Sequence, residues 1–132
     1  GMELEPYPTR NQRPPSTLYK RIGSDLPQYL HQGATVSFVQ NELWSGAYVL
    51  ESLPFALYCF LMHPMDFKTT LLSSTNGSKD SDTVAAMSCA LSGALNGRTA
   101  LSTCDDGYYM KNLEFAEDIE NISTRIYNMV IE

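Results

Sequence analysis

Two aspartates and a threonine stand close together in the segment NGSKDSDT. Asp80 and Asp82 are two residues apart, and Thr83 follows directly. Carboxylates at positions i and i+2 of a turn can converge on one cation, and a hydroxyl at i+3 adds a neutral oxygen. Mg²⁺ takes such oxygen ligands in near-octahedral geometry. The spacing therefore predicts a divalent-cation site to which Asp80, Asp82 and Thr83 contribute.

The same segment also suits the start of a helix. Helix-forming residues follow it as far as Asn96, and Gly97 is a natural C-terminal stop. Aspartate and serine are good N-cap residues, and acids in the first turn interact favourably with the helix dipole. In this alternative, an oxygen of Asp80 or Ser81 accepts a hydrogen bond from a backbone N–H two or three residues later, and the carboxylates do not converge.

Apolar spacing along the chain predicts the helices that must position this segment. Hydrophobic residues recur at intervals of three and four, and no segment is typical of a β-strand, so the chain is predicted to be all-α. Asp66 is expected to cap one helix, and Pro54 to separate two others. Small residues fill the helix after Asp82, which places that helix centrally in a bundle. The expected helices span about residues 18–30, 41–52, 54–62, 67–75, 81–96 and 113–130, and residues 98–112 are expected to form a loop.

The predicted domain organisation is simple. Residues 1–17 contain four prolines and are expected to form an N-terminal arm. Residues 18–132 are expected to form a single helical domain, which suits a chain of this length. Gly1 before Met2 is typical of the remnant that tag removal leaves.

Composition limits the classes of function. The chain has 132 residues and a net charge of −6, which argues against a nucleic-acid partner because phosphates require a basic surface. No apolar run reaches the roughly 20 residues that span a membrane, and the N-terminus has no apolar signal region. The three cysteines, Cys59, Cys89 and Cys104, match no zinc or disulfide spacing. These features predict a cytoplasmic protein without membrane or nucleic-acid partners.

A longer stretch, about residues 46–97, carries a resemblance to a known family. It contains LESLPFALYCFLMHPMDFKTTLLSSTNGSKDSDTVAAMSCALSGALNG. This resembles the C-terminal part of the ADP-ribosylglycohydrolase family, which has a helix of the type VxxALPAALYAFLRH followed by an AxNxGGDSDTxAAIAGALAGAYYG signature. The closing helix of the chain also agrees with the family's last helix in general character.

The resemblance implies both a fold and a chemistry. The fold is an all-α helical bundle like the C-terminal region of the family. The chemistry is the Mg²⁺-dependent hydrolysis of the bond between ADP-ribose and a modified protein, at a site with two magnesium ions. The family's DxDT metal ligands correspond to Asp80, Asp82 and Thr83, and its substrate-binding positions to Asn76, Gly77 and Ser78.

The chain departs from the family pattern in two places. Ser78 and Lys79 stand where the family has paired glycines, and a lysine repels a nearby cation by about 4 kcal/mol per unit charge at about 4 Å and an effective dielectric of about 20. The family's TDDT-type motif and early acidic residue have no counterpart in residues 1–45. We therefore expect the chain to correspond to the C-terminal half of such an enzyme, to bind Mg²⁺ weakly and to be inactive alone.

An isolated C-terminal half would leave an apolar helix face without its partner. We therefore expect a homo-oligomer or a complex with a separate N-terminal-half protein, formed through the helices at about residues 41–62 and 81–97. ADP-ribose is the expected small-molecule partner. The alternative is a non-catalytic helical interaction or binding module derived from the same fold.

Overall fold

The computed structural model describes residues 16–131, so residues 1–15 of the predicted N-terminal arm and Glu132 lie outside the described residues. The described part of the chain contains α-helices and no strand, which confirms the predicted all-α class. The helices are α1 (Leu18–Lys20), α2 (Leu26–His31), α3 (Val36–Leu43), α4 (Val49–Met62), α5 (Phe67–Asn76), α6 (Ser81–Thr103), α7 (Tyr108–Asn112) and α8 (Ala116–Ile131); a π-helical segment, Arg21–Asp25, joins α1 to α2, and a 3-10 turn, Cys104–Gly107, precedes α7.

The core of the bundle forms where α4, α5 and α6 pack together. Phe55, Ala56 and Tyr58 of α4 are fully buried, and Val84 of α6 packs against the same cluster. The small residues of α6 allow a close approach to α4, since the buried Ser88 hydroxyl donates to the Ala56 carbonyl at 3.0 Å. The small-residue helix therefore lies against two neighbours, as its composition predicted.

The helix α5 begins as the sequence predicted. Asp66 is its N-cap residue, and its Oδ1 accepts a hydrogen bond from the Thr69 backbone N–H at 3.0 Å. The Thr69 hydroxyl donates to the other carboxylate oxygen at 2.6 Å. Together these bonds fix the start of α5 and so the position of the segment that follows it.

The predicted break at Pro54 is wrong. Pro54 lies inside α4, and the chain instead leaves the helical conformation at Trp44, which ends α3 with a φ of 64°. Proline cannot donate to the carbonyl four residues earlier, which is that of Leu50. The buried Arg21 donates to that carbonyl from Nη1 at 2.6 Å, so α4 continues through the proline.

The loop predicted at residues 98–112 is also wrong. Gly97 does leave the helical conformation, with a φ of 70°, but the chain resumes its helix and α6 reaches Thr103. Asp105, Asp106 and Gly107 form the expected turn with left-handed backbone angles, and α7 follows directly. Glycine permits the kink at position 97 without ending helix formation beyond it.

The most exposed apolar surface belongs to α8. No residue of α8 is buried. The apolar face of α8 consists of Ile119, Ile122, Ile126, Met129 and Val130, which are between 46% and 79% exposed. On α6, Leu91 and Leu95 are also exposed. The helix α4, in contrast, is largely covered within the chain, with Val49 and Leu61 exposed on it, and the interface expected through residues 41–62 and 81–97 stays a prediction.

Two further findings concern the sequence predictions. All three cysteines are free, and Cys59 lies fully buried in the core, which raises the pKa of its thiol to about 12. In the part of the chain that the structure describes, no helix has both the length and the hydropathy that crossing a bilayer requires.

Candidate functional site

The predicted metal ligands lie at the connection between α5 and α6. The helix α5 ends at Asn76, and Asp80 occupies the N-cap position of α6. Asp82 and Thr83 lie in the first turn of α6 and are exposed, whereas Asp80 is half-buried. The four residues 77–80 therefore carry the chain from one helix to the next and present both acids at the surface.

The side chains of Asp80 and Asp82 are close enough to interact. A side-chain hydrogen bond with Asp80 lowers the pKa of Asp82, and the backbone N–H of Thr83, which donates to Asp82 Oδ1 at 2.9 Å, lowers it further. Asp80 makes no capping hydrogen bond to the helix. The helix-cap alternative, as far as it depended on Asp80, is therefore wrong, and the two acids form one oxygen-rich pair.

Asp80 and Asp82 provide few ligands for a metal ion. No group of three or more histidine, cysteine, aspartate or glutamate side chains among residues 16–131 could hold a metal ion. Asp80 and Asp82 offer carboxylate oxygens, and Thr83 adds a hydroxyl at the next position. These donors suit a hard cation that completes its coordination with water.

The backbone of the connection is fastened to the residues that follow α3. Ser45 is fully buried, and its hydroxyl accepts a hydrogen bond from the Lys79 backbone N–H at 2.9 Å. The Ser45 carbonyl accepts another from the Asp80 N–H, also at 2.9 Å. Sequence patterns do not predict this contact, because Ser45 and Lys79 are 34 positions apart.

The ammonium group of Lys79 does not pair with Asp80 or Asp82. Its Nζ lies 4.2 Å from the centre of the Trp44 ring, a cation–π contact. None of the ion pairs among the described residues joins Lys79 to Asp80 or Asp82. Trp44 holds its ring there with a φ of 64° and a ψ of 173°, a conformation that costs a non-glycine residue on the order of 1–3 kcal/mol.

A groove of about 630 Å³ lies between α3 and the end of α5. The predicted substrate-binding residues Asn76, Gly77 and Ser78 line one side of it, and hydroxyl, amide and apolar side chains of α3 and its cap line the other. None of its lining side chains is charged. The lining residues that the sequence did not indicate are Thr35, Val36, Ser37, Gln40, Leu72 and Ser73.

Gly77 allows the turn after α5 to pack closely against α3 at one side of the groove. A Cβ atom at this position would lie 2.5 Å from the Ser73 carbonyl oxygen and 2.6 Å from Cγ1 of Val36. Such distances exclude a side chain, so the turn after α5 approaches α3 only because residue 77 is glycine. The Ser78 hydroxyl then donates to the Ser74 carbonyl at 2.5 Å and fixes the next step of the connection.

The comparison with protein families decides the relationship. The family model of the ADP-ribosylglycohydrolases matches residues 8–131. The chain belongs to this family. The match extends well beyond the motif at residues 46–97 and includes every helix from α1 to α8.

Curated members of the family give the scale of the relationship. The chain is similar to ADP-ribosylhydrolase ARH3 of human and of cattle, each 36% identical over 107 residues that cover 74% of this chain and 26% of the relative. The mouse protein of the same name is 34% identical over the same length. The chain thus spans about a quarter of the length of these relatives. No solved structure matches.

Proposed function

We propose that the connection between α5 and α6 binds Mg²⁺ through Asp80, Asp82 and Thr83, and that the adjoining groove binds ADP-ribose. The observation that carries the proposal is the placement of Asp80, Asp82 and Thr83 at the start of α6, next to a groove without charged lining side chains, in a chain of the ADP-ribosylglycohydrolase family. Bound Mg²⁺ would hold ribose hydroxyls and orient a water molecule for attack on the bond to the acceptor.

Different residues of the chain would bind the cation and the sugar. Asp80 and Asp82 supply the negative charge that a cation requires. Asn76 and Ser78 present an amide and a hydroxyl to the groove, and these groups pair well with sugar hydroxyls. The absence of charge in the lining suits the ribose and the base better than the diphosphate.

The ligand count sets the expected affinity. Mg²⁺ prefers six oxygen ligands and gives up its waters reluctantly. Two carboxylates and one hydroxyl leave most of the coordination sphere to water, so we expect a dissociation constant in the millimolar range or weaker. The further ligands of a two-magnesium site would come from outside this chain, and hydrolysis would require them.

The exposed apolar face of α8 supports a proposal about assembly. A single helix of 16 residues is marginally stable in water without packing partners. We infer that a second copy of this chain covers the apolar face of α8, burying Ile122 and Ile126. A separate protein that corresponds to the rest of the relatives is the other outcome that a test must distinguish.

A second candidate function is a non-catalytic binding module that retains the helices. The observation that favours it is the small donor set, since the described residues hold no metal cluster of three or more acidic, histidine or cysteine side chains. Such a module would bind ADP-ribose equally well with and without Mg²⁺. The metal-dependent function predicts tighter binding when Mg²⁺ is present.

Titration of Mg²⁺ followed by amide NMR shifts tests the metal proposal. We expect saturable shifts confined to residues 76–84, and their loss in Asp80→Asn. Asp118→Asn, which removes an exposed acid from α8, is the matched control and should leave them unchanged. No shift up to tens of millimolar Mg²⁺ would contradict the proposal. A second titration with ADP-ribose, with and without Mg²⁺, separates the two candidate functions.

A further inference from the structure

Lys79 occupies an unexpected place for a positive charge. It directly precedes Asp80, within reach of the two carboxyl groups that would hold a cation. A lysine ammonium carries three donors and pairs readily with carboxylates, so it could take the cation's place. In the structure the ammonium lies on the Trp44 ring instead, 4.2 Å from its centre.

Two consecutive residues, Trp44 and Ser45, contact two others, Lys79 and Asp80. Ser45 accepts hydrogen bonds from the backbone N–H groups of both Lys79 and Asp80, each at 2.9 Å. Trp44 receives the Lys79 side chain on its ring. The next residue, Gly46, leaves room for the buried Glu51, because a Cβ there would lie 2.8 Å from a carboxylate oxygen of that residue.

The backbone at Trp44 points to a role for this arrangement. A tryptophan with positive φ and extended ψ is a conformation that almost always requires glycine. Such strain persists where the surrounding structure fixes it, and it occurs often at ligand sites. Here it turns the ring toward Lys79 at the end of α3, while the Trp44 N–H still donates to the Gln40 carbonyl at 3.0 Å.

We propose that Trp44 and Ser45 are positioning residues of the cation site. Ser45 sets the backbone of Lys79 and Asp80, and the Trp44 ring holds the Lys79 ammonium outside the space between Asp80 and Asp82. The site is then open to a divalent cation although a lysine adjoins it. The inference rests on the proposed Mg²⁺ site and explains how that site tolerates Lys79.

Four proteins test the arrangement through Mg²⁺ affinity, measured from the amide shifts of residues 80–84. Trp44→Leu removes the ring face and frees the ammonium, so we expect affinity to fall about two- to five-fold, the ratio that a typical exposed cation–π contact corresponds to. Lys79→Met should bind Mg²⁺ at least as tightly as the unchanged protein. The double variant should match Lys79→Met, because no ammonium remains to compete.

The double variant separates positioning from simple support of the fold. If Trp44 only stabilises the chain, Trp44→Leu will weaken Mg²⁺ binding equally with and without Lys79, and the inference is overturned. Trp44→Phe keeps an aromatic face and should restore most of the affinity that Trp44→Leu loses. This conservative variant also guards against a Trp44→Leu protein that fails to fold.

Fluorescence provides a readout that needs no metal. Trp44 is the single tryptophan of the chain, so the emission reports the surroundings of this one ring. Lys79→Met should change the emission intensity of the metal-free protein, whereas Lys111→Met, at a distant exposed lysine, should not. Unchanged emission in Lys79→Met would overturn the contact. If Mg²⁺ shifts are missing from both the unchanged protein and Lys79→Met, the proposed metal site fails; if they are present but the double variant stays weak, only the positioning role fails.

Discussion

The guanidinium of Arg21 donates a hydrogen bond from Nη1 to the Leu50 carbonyl at 2.6 Å. Pro54 leaves this carbonyl without its helical partner, because proline has no N–H to donate. The same nitrogen donates to the Leu43 carbonyl at the end of α3 at 2.5 Å. One buried side chain therefore joins the ends of α3 and α4 on either side of the segment that holds Lys79 and Asp80.

Replacement of Arg21 should destabilise the fold. Arg21→Met leaves two buried carbonyls without this donor, and we expect the free energy of unfolding to fall by about 2–4 kcal/mol. Lys20→Met is the matched control: its exposed ion pair with Asp25 should contribute less than about 1 kcal/mol. Urea unfolding followed by circular dichroism measures both.

A double-mutant cycle with Pro54 tests the reason for that loss. In a Pro54→Ala background the residue at position 54 can donate to the Leu50 carbonyl, so Arg21→Met should cost about 1 kcal/mol less than in the unchanged chain. Equal costs in the two backgrounds would show that Arg21 does not compensate for the proline.

The cap of α5 should depend on pH. The hydrogen bonds from the Thr69 hydroxyl and backbone N–H lower the pKa of Asp66 below its ordinary value of 3.8. A lowered carboxyl pKa stabilises the fold above the unfolded pKa, and this contribution is lost as the pH falls through the folded pKa. Asp66→Ala should cost about 1 kcal/mol at pH 7, and less near pH 3.

A hydroxyl substitution separates the two bonds of this cap. Thr69→Val removes the bond to Asp66 Oδ2 and keeps the backbone N–H, so it should cost less than Asp66→Ala. Thr75→Val, at an exposed threonine of the same helix, is the control and should change stability little. A pH-independent effect of Asp66→Ala would contradict the linkage.

The apolar face of α8 should control assembly. We expect sedimentation to give about twice the 14.7 kDa mass of the chain at micromolar concentration. Replacement of Ile122 and Ile126 together by glutamate should produce the monomer, because a charge cannot be buried unpaired at the contact. Thr124→Glu, on the opposite side of α8, should remain dimeric. A monomeric unchanged chain would show that the second copy is not the partner, and would direct the search to a separate protein.

The chain alone should not release ADP-ribose from a modified protein. The expected reason is ligand count, since Asp80, Asp82 and Thr83 supply too few oxygens for a site with two magnesium ions. Release of labelled ADP-ribose, measured over a range of Mg²⁺ concentrations, checks this. Turnover that disappears in Asp82→Ala would prove that the chain holds a complete site.

Features that depend on neighbouring residues were predictable from the amino-acid sequence. The Asp66 cap and the small-residue helix follow from side-chain type and spacing within one or two turns, and such patterns are local. The DSDT motif and its family were also readable, because a long run of residues in fixed order is specific. The motif did not show that the Asp80 side chain would interact with Asp82 without capping α6, or that Asp82 would accept a hydrogen bond from the Thr83 N–H.

Tertiary structure decided the features that join distant parts of the chain. Pro54 lies inside α4 because Arg21, 29 residues from Leu50, supplies the missing donor. The Lys79 ammonium lies over the Trp44 ring, at a residue with a left-handed φ that the sequence does not suggest. Apolar periodicity reports which face of a helix is buried, and it carries no information about which residue of another helix lies opposite. The sequence therefore shows Asp80 and Asp82 as a pair. The residues that surround them are known only from the tertiary structure, which places the end of α3 beside the turn that begins α6.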